Sequence, residues 1–200
     1  MTYFSVRISS LAIAAALFSG CGGTKVTRVS HDSTIDLSGA WNDTDARLVS
    51  EEMVKDCLGS SWLKEYAAQK KSPRVVVGEI RNKSHEHIST ETFINDIERY
   101  LVNSGTVDFV ANKSERGELR EEKADQAGNS SVQSRQSAGE ESGAEFMMLG
   151  SINTIVDQEG GKAVIFYQIN LELVQLETHK KAWIGDKKIK KFVENSSTKF

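Results

Sequence analysis

The segment SWLK contains a serine and a lysine, Ser61 and Lys64, at the spacing of a known catalytic pair. In penicillin-binding transpeptidases, a Ser-x-x-Lys motif supplies the nucleophilic serine. The same pattern recurs by chance at residues 196–199, however, and the chain has no Lys-Thr-Gly or Ser-Asp-Asn motif to complete such a site. The chain also lacks a glycine-rich phosphate loop and a paired-carboxylate signature. The sequence therefore predicts a protein that is not an enzyme and has no catalytic residue.

Two histidines in the segment HEH, His85 and His87, are the most closely spaced candidates for metal ligands. A zinc site needs three or four protein ligands. The other candidates, His31, His179 and Cys57, are all distant in sequence. We therefore predict no metal and no cofactor, and we interpret HEH as part of a solvated loop that follows a strand.

A cysteine near the amino terminus indicates a different chemistry. Arg7 precedes an apolar run, residues 8–18, of signal-peptide length, and the small residues Ser19 and Gly20 lie directly before Cys21. This arrangement resembles the bacterial lipobox, in which the cysteine thiol receives a diacylglyceryl group. The run is too short to cross a bilayer, which takes about 20 apolar residues. We expect a lipid anchor at Cys21; a plain secretory signal that leaves Cys21 as a free thiol is the alternative.

The residues beyond the anchor indicate the compartment and the size of the folded part. Gly22, rather than aspartate, follows the cysteine, which by the sorting rule of enteric bacteria predicts the periplasmic face of the outer membrane. Cys57 lies among apolar residues at helical spacing, and we expect it to be a buried, inert thiol. The net charge of −3 does not suggest nucleic-acid binding. Removal of the signal leaves enough chain for one domain, which we expect to be a monomer.

The chain divides into four predicted regions. Residues 1–20 form the signal peptide. Residues 21–43 comprise the lipidated cysteine and a flexible tether of mixed polarity. Residues 44–193 form the globular domain, and residues 194–200, a disordered tail.

Amphipathic patterns predict three helices at the start of the domain. The first begins at an N-cap, Thr44, and ends at Gly59; the second is capped by Ser60 or Ser61. The third has Thr90 or Thr92 near its N-cap, ends at Gly105, and has Phe93, Ile97 and Leu101 on one face. Two short strands, RVVVGEI and TVDFVA, flank this third helix, which implies a parallel crossover.

Residues 113–143 are polar and predict a surface helix over 114–127, a turn, and a second short helix before Gly143. Three long strand candidates follow, with a tight hairpin at EGG, residues 159–161. In the second of them, Ile165, Tyr167, Ile169, Leu171 and Leu173 alternate toward one buried face. The predicted fold class is α+β: a small mixed sheet of four or five strands flanked by α-helices.

One segment points to a family. In VVVGEIRNKSHEHISTETFINDIERYLVNSGTVDFV, a strand leads into Arg-Asn-Lys-Ser-x-Glu-His-Ile-x-Thr, then an amphipathic helix and NSG. This order closely resembles the LpoB-type penicillin-binding protein activators, a family of outer-membrane lipoproteins. SGAEFMMLGSI and WIGDKKIKK also resemble that family, and the likeness spans residues 45–192. The resemblance implies a fold similar to the amino-terminal domain of the TolB protein.

The resemblance also implies a function. Such lipoproteins reach inward from the outer membrane, bind a bifunctional penicillin-binding protein, and stimulate peptidoglycan synthesis without catalysing it. The enterobacterial members carry a long proline-rich linker after the cysteine, whereas residues 22–43 here contain no proline. An envelope scaffold or secretion-associated lipoprotein that uses the same domain for another partner is therefore the alternative.

Two groups of residues are candidates for partner binding. The first is the segment RNKSHEHIST, because loops held by a strand and a helix often carry function; it offers Arg81, Lys83, His85, Glu86 and His87. In the alternative interpretation, Asn82, Ser84 and Thr90 only shape the turn and cap the helix.

The second group lies in the last strand, KAWIGDKKIKKFV, and comprises Lys187, Lys188, Lys190 and Lys191. These lysines either prevent pairing with other chains at a sheet edge or present a basic strip to an acidic partner or to peptidoglycan carboxylates. We favour the edge interpretation, because lysine is depleted in interface cores.

Overall fold

The computed structural model of the protein describes residues 25–31, 33–131, 133–134 and 141–194, so Cys21 and residues 195–200 lie outside it. The chain divides into two units, residues 1–33 and 34–200. The described part of the first unit contains neither helix nor strand, and the Ser33 N–H donates to the Ser30 carbonyl oxygen at 3.0 Å. Every helix and strand below belongs to the second unit. Within the described ranges, no helix has the length and apolar character needed to cross a membrane.

The described helices begin and end at residues suited to capping. The Asn42 side chain accepts the Asp45 N–H and the Asp45 carboxylate accepts the Asn42 N–H, a capping box that starts the first helix two residues before the predicted cap. Ser89, rather than a threonine, caps the third helix, which ends as predicted at a left-handed Gly105. The helices are α1 (Asp43–Gly59), α2 (Ser61–Ala68), α3 (Thr90–Ser104) and α4 (Lys113–Asn129).

Five strands form one mixed sheet, in agreement with the predicted fold class. They are β1 (Arg74–Lys83), β2 (Asp108–Phe109), β3 (Phe146–Glu159), β4 (Lys162–Gln175) and β5 (Lys181–Glu194). Their order is β2-β1-β3-β4-β5. β1 is parallel to both β2 and β3, which confirms the predicted parallel crossover, and the three long strands are antiparallel. β5 is an edge strand.

The turn between β3 and β4 has two residues, Gly160 and Gly161, with φ angles of 57° and 81°. A two-residue hairpin turn with both φ angles positive favours glycine at both positions. The predicted tight hairpin at EGG is therefore confirmed. It fixes the register of β3 against β4, with Glu159 opposite Lys162.

The core lies between three helices and one face of the sheet, which we call the inner face. The predicted stripe of α3 is buried there, as are four of the five alternating residues of β4 and most of the apolar positions of α1. Burial at helical period on the helices and at period two on β4 explains why both patterns were readable in the sequence. The buried residues include Val49, Met53, Val54, Cys57, Phe93, Ile97, Leu101, Tyr167, Ile169, Leu171 and Leu173.

α4 differs from the other helices because none of its residues is buried. Its bounds agree to within two residues with those of the surface helix predicted over residues 114–127. The second short helix predicted before Gly143 falls largely on residues 132 and 135–140, which lie outside the described residues.

A short segment before α1, residues 36–42, packs against the sheet, and we call it the strap. Sequence analysis assigned these residues to the flexible tether. Gly39 is buried, and a Cβ atom at this position would lie 2.3 Å from Val193 Cγ2, so any larger residue would have to displace neighbouring side chains. The Trp41 ring packs against Phe93 and Tyr167, with centroids 6.1 and 5.6 Å away. Tertiary packing, which a polar sequence does not reveal, holds the strap in place.

Candidate functional site

The four predicted lysines of β5 alternate between the two faces of the sheet. Lys187 and Lys191 lie opposite Ile169 and Ile165 of β4 and face inward. Lys188 and Lys190 lie opposite Gln168 and Phe166 and face outward; we call that side the outer face. Since successive side chains of a strand point to opposite faces, the lysines do not form one basic strip.

The two inward lysines bind the helix and the strap. Lys191 Nζ lies 2.5 Å from Asp45 Oδ2 and 3.2 Å from Asp36 Oδ1, and its side chain is only 13% exposed. Burial alone would lower the pKa of Lys191, but its hydrogen bonds to the two carboxylates outweigh burial and leave the pKa raised. Lys187 pairs with Glu52 of α1. Both residues attach α1 to β5.

The outward lysines are solvent-exposed. Lys188 pairs with its neighbour Asp186 at 3.0 Å. Lys190 makes no hydrogen bond or ion pair with any residue in the described part of the chain. Of these two exposed lysines, only Lys190 is unpaired within the described part of the chain.

The outer face also contains the first two residues of the other predicted group, because β1 extends three residues beyond its predicted end. Arg81 and Lys83 are strand residues, opposite Ser151 and Asn153 of β3. Arg81 pairs with Glu79 at 3.0 Å, whereas Lys83 has no polar partner among the described residues. Four of the nine predicted binding residues therefore share the outer face.

Polar side chains connect these cations across the sheet. The register places Lys83, Asn153, Gln168 and Lys188 in one row across β1, β3, β4 and β5. With neighbouring strands about 4.8 Å apart, the two ends of this row lie about 14 Å from each other. The row thus joins the two predicted groups on one surface. A shallow groove of about 270 Å³ opens beside it, lined by Glu79, Arg81, Lys83, Leu149, Ser151, Asn170, Glu172 and Ile184.

Three apolar residues adjoin the row, and we call them the outer patch: Ile155, Phe166 and Phe192. Ile155 is 67% exposed and Phe192 is 63% exposed, whereas Phe166 is half-buried. Ile155 lies directly opposite Phe166, and Phe166 lies opposite Lys190. Sequence reasoning did not identify this patch. Only the strand register, which a sequence does not state, brings Phe192 beside residues of β3 and β4.

The remaining residues of the first group lie in the loop between β1 and α3. The Asn82 side chain accepts the Ser84 N–H at 2.9 Å and donates to the Glu86 carbonyl oxygen at 2.8 Å. Asn82 and Ser84 therefore do shape the turn, as the alternative interpretation proposed. His85 Nδ1 lies 2.8 Å from Thr154 Oγ1, and His87 is exposed.

Glu86 points away from the solvent side of this loop. Its Oε2 accepts the Trp41 N–H at 2.9 Å, and its Oε1 lies 2.5 Å from the Tyr167 hydroxyl. The same hydroxyl lies 2.9 Å from the Gly39 carbonyl oxygen. Burial, the hydrogen bond to Glu86 and the Glu86 charge together raise the pKa of Tyr167, so the phenol stays protonated. Glu86 thus connects the loop, the strap and β4.

The groups considered for catalysis and metal binding are not assembled into a site. Ser61 and Lys64 are both exposed on α2, and their side chains form no hydrogen bond within the described residues. Burial raises the pKa of the Cys57 thiol to about 12, which agrees with an inert thiol. In the described ranges, no three His, Cys, Asp or Glu side chains are grouped so that they could hold a metal ion.

Several solved structures are similar to this chain. The LpoB C-terminal domain from Escherichia coli matches with a TM-score of 0.45 and 14% identity, over 72% of this chain and 98% of that one. The NMR structure of E. coli LpoB matches with a TM-score of 0.43 and 12% identity, over 91% and 86%. Lipoprotein GNA1162 from Neisseria meningitidis matches with a TM-score of 0.40 and 13% identity, over 63% and 88%. No curated protein matches the sequence.

The sequence itself matches one family model, described as peptidoglycan-synthase activator LpoB, over residues 45–189. The match covers well over half of the 200 residues and nearly all of the predicted globular domain. It includes the segment from β1 to β2 and the strands that form the outer face. This chain belongs to the LpoB family of peptidoglycan-synthase activators.

Proposed function

We propose that this protein is a non-catalytic lipoprotein that binds and activates a bifunctional penicillin-binding protein, and thereby regulates peptidoglycan synthesis. The observation that carries the proposal is the match to the activator family over residues 45–189. The exposed outer face supports it, because it presents unpaired cations and apolar side chains on a rigid sheet. Binding, rather than chemistry, is what such a surface can do.

A reconstituted synthesis reaction tests this function. The mature protein, made soluble by Cys21→Ser, is added to a purified bifunctional penicillin-binding protein and its lipid-linked precursor. We expect a stable complex and faster glycan polymerisation and cross-linking, with the heat-denatured protein as the control. Unchanged rates together with no detectable complex, for each bifunctional synthase of the organism, would contradict the proposal.

We further propose that Cys21 carries the lipid and that the protein resides on the periplasmic face of the outer membrane. The support is the lipobox-like sequence before Cys21 and the glycine after it. Each buried methylene group contributes about 0.8 kcal/mol, so several acyl chains can anchor a protein without a spanning helix. We expect Cys21→Ser to move the protein to the soluble periplasmic fraction. An unmodified Cys21 in the intact mass of the native protein would rule out the anchor.

A second candidate function is that of an envelope scaffold for a different partner. It is favoured by the short chain between the lipid anchor and the folded domain. The strap begins at Asp36, so residues 22–35 alone separate it from the anchor. Fully extended, these residues span at most about 50 Å. Co-purification from membranes with mass spectrometry of the bound proteins separates the two functions, since only the first requires a peptidoglycan synthase.

A further inference from the structure

The outer patch brings together three apolar side chains from three neighbouring strands on the described outer face of the sheet. Ile155 and Phe192 are each more than 60% exposed and lie on either side of the half-buried Phe166 of β4, which is directly opposite Ile155 and diagonal to Phe192. Exposed apolar residues are common singly, but adjoining ones rimmed by polar residues mark interaction sites. The patch is therefore a candidate interface centre.

Two unpaired cations border the patch. Lys190 lies opposite Phe166, and Lys83 lies opposite Asn153, two residues before Ile155. Neither lysine has a polar partner among the described residues. The other cations of this face are already neutralised: Arg81 by Glu79, Lys188 by Asp186, Lys162 by Glu194 and Lys181 by Glu172. Two carboxylates of the face, Asp157 and Glu159, lie at the hairpin end, beyond Ile155.

An apolar centre with charged residues at its margin is the usual arrangement of a protein interface. Lysine at the margin raises the rate of association with an acidic partner without being buried. The complementary surface is therefore an apolar protein patch bordered by carboxylates.

We propose that the outer patch, with Lys83 and Lys190 at its margin, docks an apolar surface bordered by carboxylates on the peptidoglycan synthase. This inference rests on the proposed function, because it takes the synthase as the partner. It locates the contact at the hairpin end of β3, β4 and β5 rather than in the loop that follows β1. Both lysines contribute to the rate of encounter, and the apolar side chains contribute to the lifetime of the complex.

Two double variants and two matched controls test this proposal with the Cys21→Ser protein and the synthase it binds. Ile155→Ser with Phe192→Ser removes the apolar centre, and we expect affinity to fall by about 10- to 1,000-fold, mainly through faster dissociation. Ile184→Ser is the control, since Ile184 is 64% exposed on the same face but lies opposite Glu172, far from the patch. We expect it to bind like the unsubstituted protein.

Lys83→Glu with Lys190→Glu reverses the charge of the margin. We expect an association rate at least about 10-fold lower at low salt, and a weaker dependence of that rate on salt, because electrostatic attraction acts mainly on encounter. Lys64→Glu, on the exposed side of α2, is the control. All of these positions are exposed, so the variants should keep the melting temperature of the unsubstituted protein.

The outcomes separate the two proposals. No binding by the unsubstituted protein would overturn the proposed function and this inference with it. Binding that is equal in all variants, or that Ile184→Ser weakens as much as the patch variant, would overturn this inference alone. It would also be overturned if sedimentation showed a dimer that the patch variant dissociates, or if that variant lost only affinity for purified peptidoglycan.

Discussion

At the scale of single residues, Glu86 shows why exposure cannot be assumed for a charged residue in a loop. The sequence presents it between two histidines as one of five polar contacts for a partner. In the structure its carboxylate is directed toward the Trp41 N–H and the Tyr167 hydroxyl. Removing the Glu86 carboxylate would take away the acceptor of the Trp41 N–H and one acceptor of the Tyr167 hydroxyl, and an unpartnered buried polar group costs about 1–3 kcal/mol. A binding defect in a Glu86 variant would therefore have to be distinguished from unfolding.

Glu98 of α3 is a second carboxylate whose environment the sequence does not reveal. Its Oε1 atom is buried and has no hydrogen-bond partner among the described residues. Burial raises the pKa of Glu98, and the nearby negative charge of Glu115 on α4 raises it further. The folded protein therefore holds a proton on Glu98 more strongly than the unfolded chain does. Ionisation of Glu98 at neutral pH accordingly destabilises the fold, and this penalty is absent below pH 4.5, the ordinary pKa.

We expect Glu98→Gln to increase the free energy of unfolding at pH 7. The gain should shrink as the pH falls through the raised pKa of Glu98 and vanish below its ordinary value, because the wild-type carboxyl is then neutral in both states. Denaturant unfolding of both proteins between pH 4 and pH 8 measures this. Glu121→Gln, at an exposed position of α4, is the control and should leave stability within about 0.5 kcal/mol. A gain that does not vary with pH would show that charge is not the cause.

At the scale of elements, β5 shows where periodicity stops being informative. Its two isoleucines, Ile184 and Ile189, are five positions apart, so a period of two cannot place both inside. In the structure Trp183 is buried, and its indole N–H donates to the Asp56 carboxylate of α1 at 2.9 Å. Ile184, next to it in the strand, is exposed. The sequence therefore predicted that β5 is a strand, but not which of its lysines face outward.

β4 was simpler, because five alternating apolar residues and a two-glycine turn fix both its inner face and its register to β3. The start of α1 was misplaced by two residues for a physical reason: Thr44 and Asn42 are both good caps, and only the Asp45 carboxylate, which closes the capping box on Asn42, decides between them. Local patterns thus predicted the elements. The outer face required contacts between residues far apart in sequence.

At the scale of the whole molecule, the strap determines where the folded domain begins. Residues 36–42 contribute the Trp41 ring, the Gly39 carbonyl oxygen near Tyr167, and Asp36, which pairs with Lys191. The hydrogen bonds that Lys191 and Asn42 each donate to Asp36 also lower the pKa of Asp36, in the direction that keeps this carboxylate ionised. The family match begins at residue 45, so the strap lies outside the matched region while it packs on the same sheet.

Truncation of the amino terminus tests whether the strap belongs to the fold. We expect a chain that begins at Thr34 to melt at the temperature of the mature protein, since residues 34–200 form a unit of their own. A chain that begins at Asp43 should lose about 2–4 kcal/mol, because Trp41 no longer covers Phe93 and Lys191 loses one carboxylate partner and the Ala40 carbonyl oxygen. For a domain of this size, that corresponds to a melting temperature lower by about 5–15 °C. Equal melting temperatures for the two truncated chains would show that the strap contributes nothing to stability and would return residues 34–42 to the tether. The length of free chain that determines how far the domain can reach from its anchor would then be correspondingly longer.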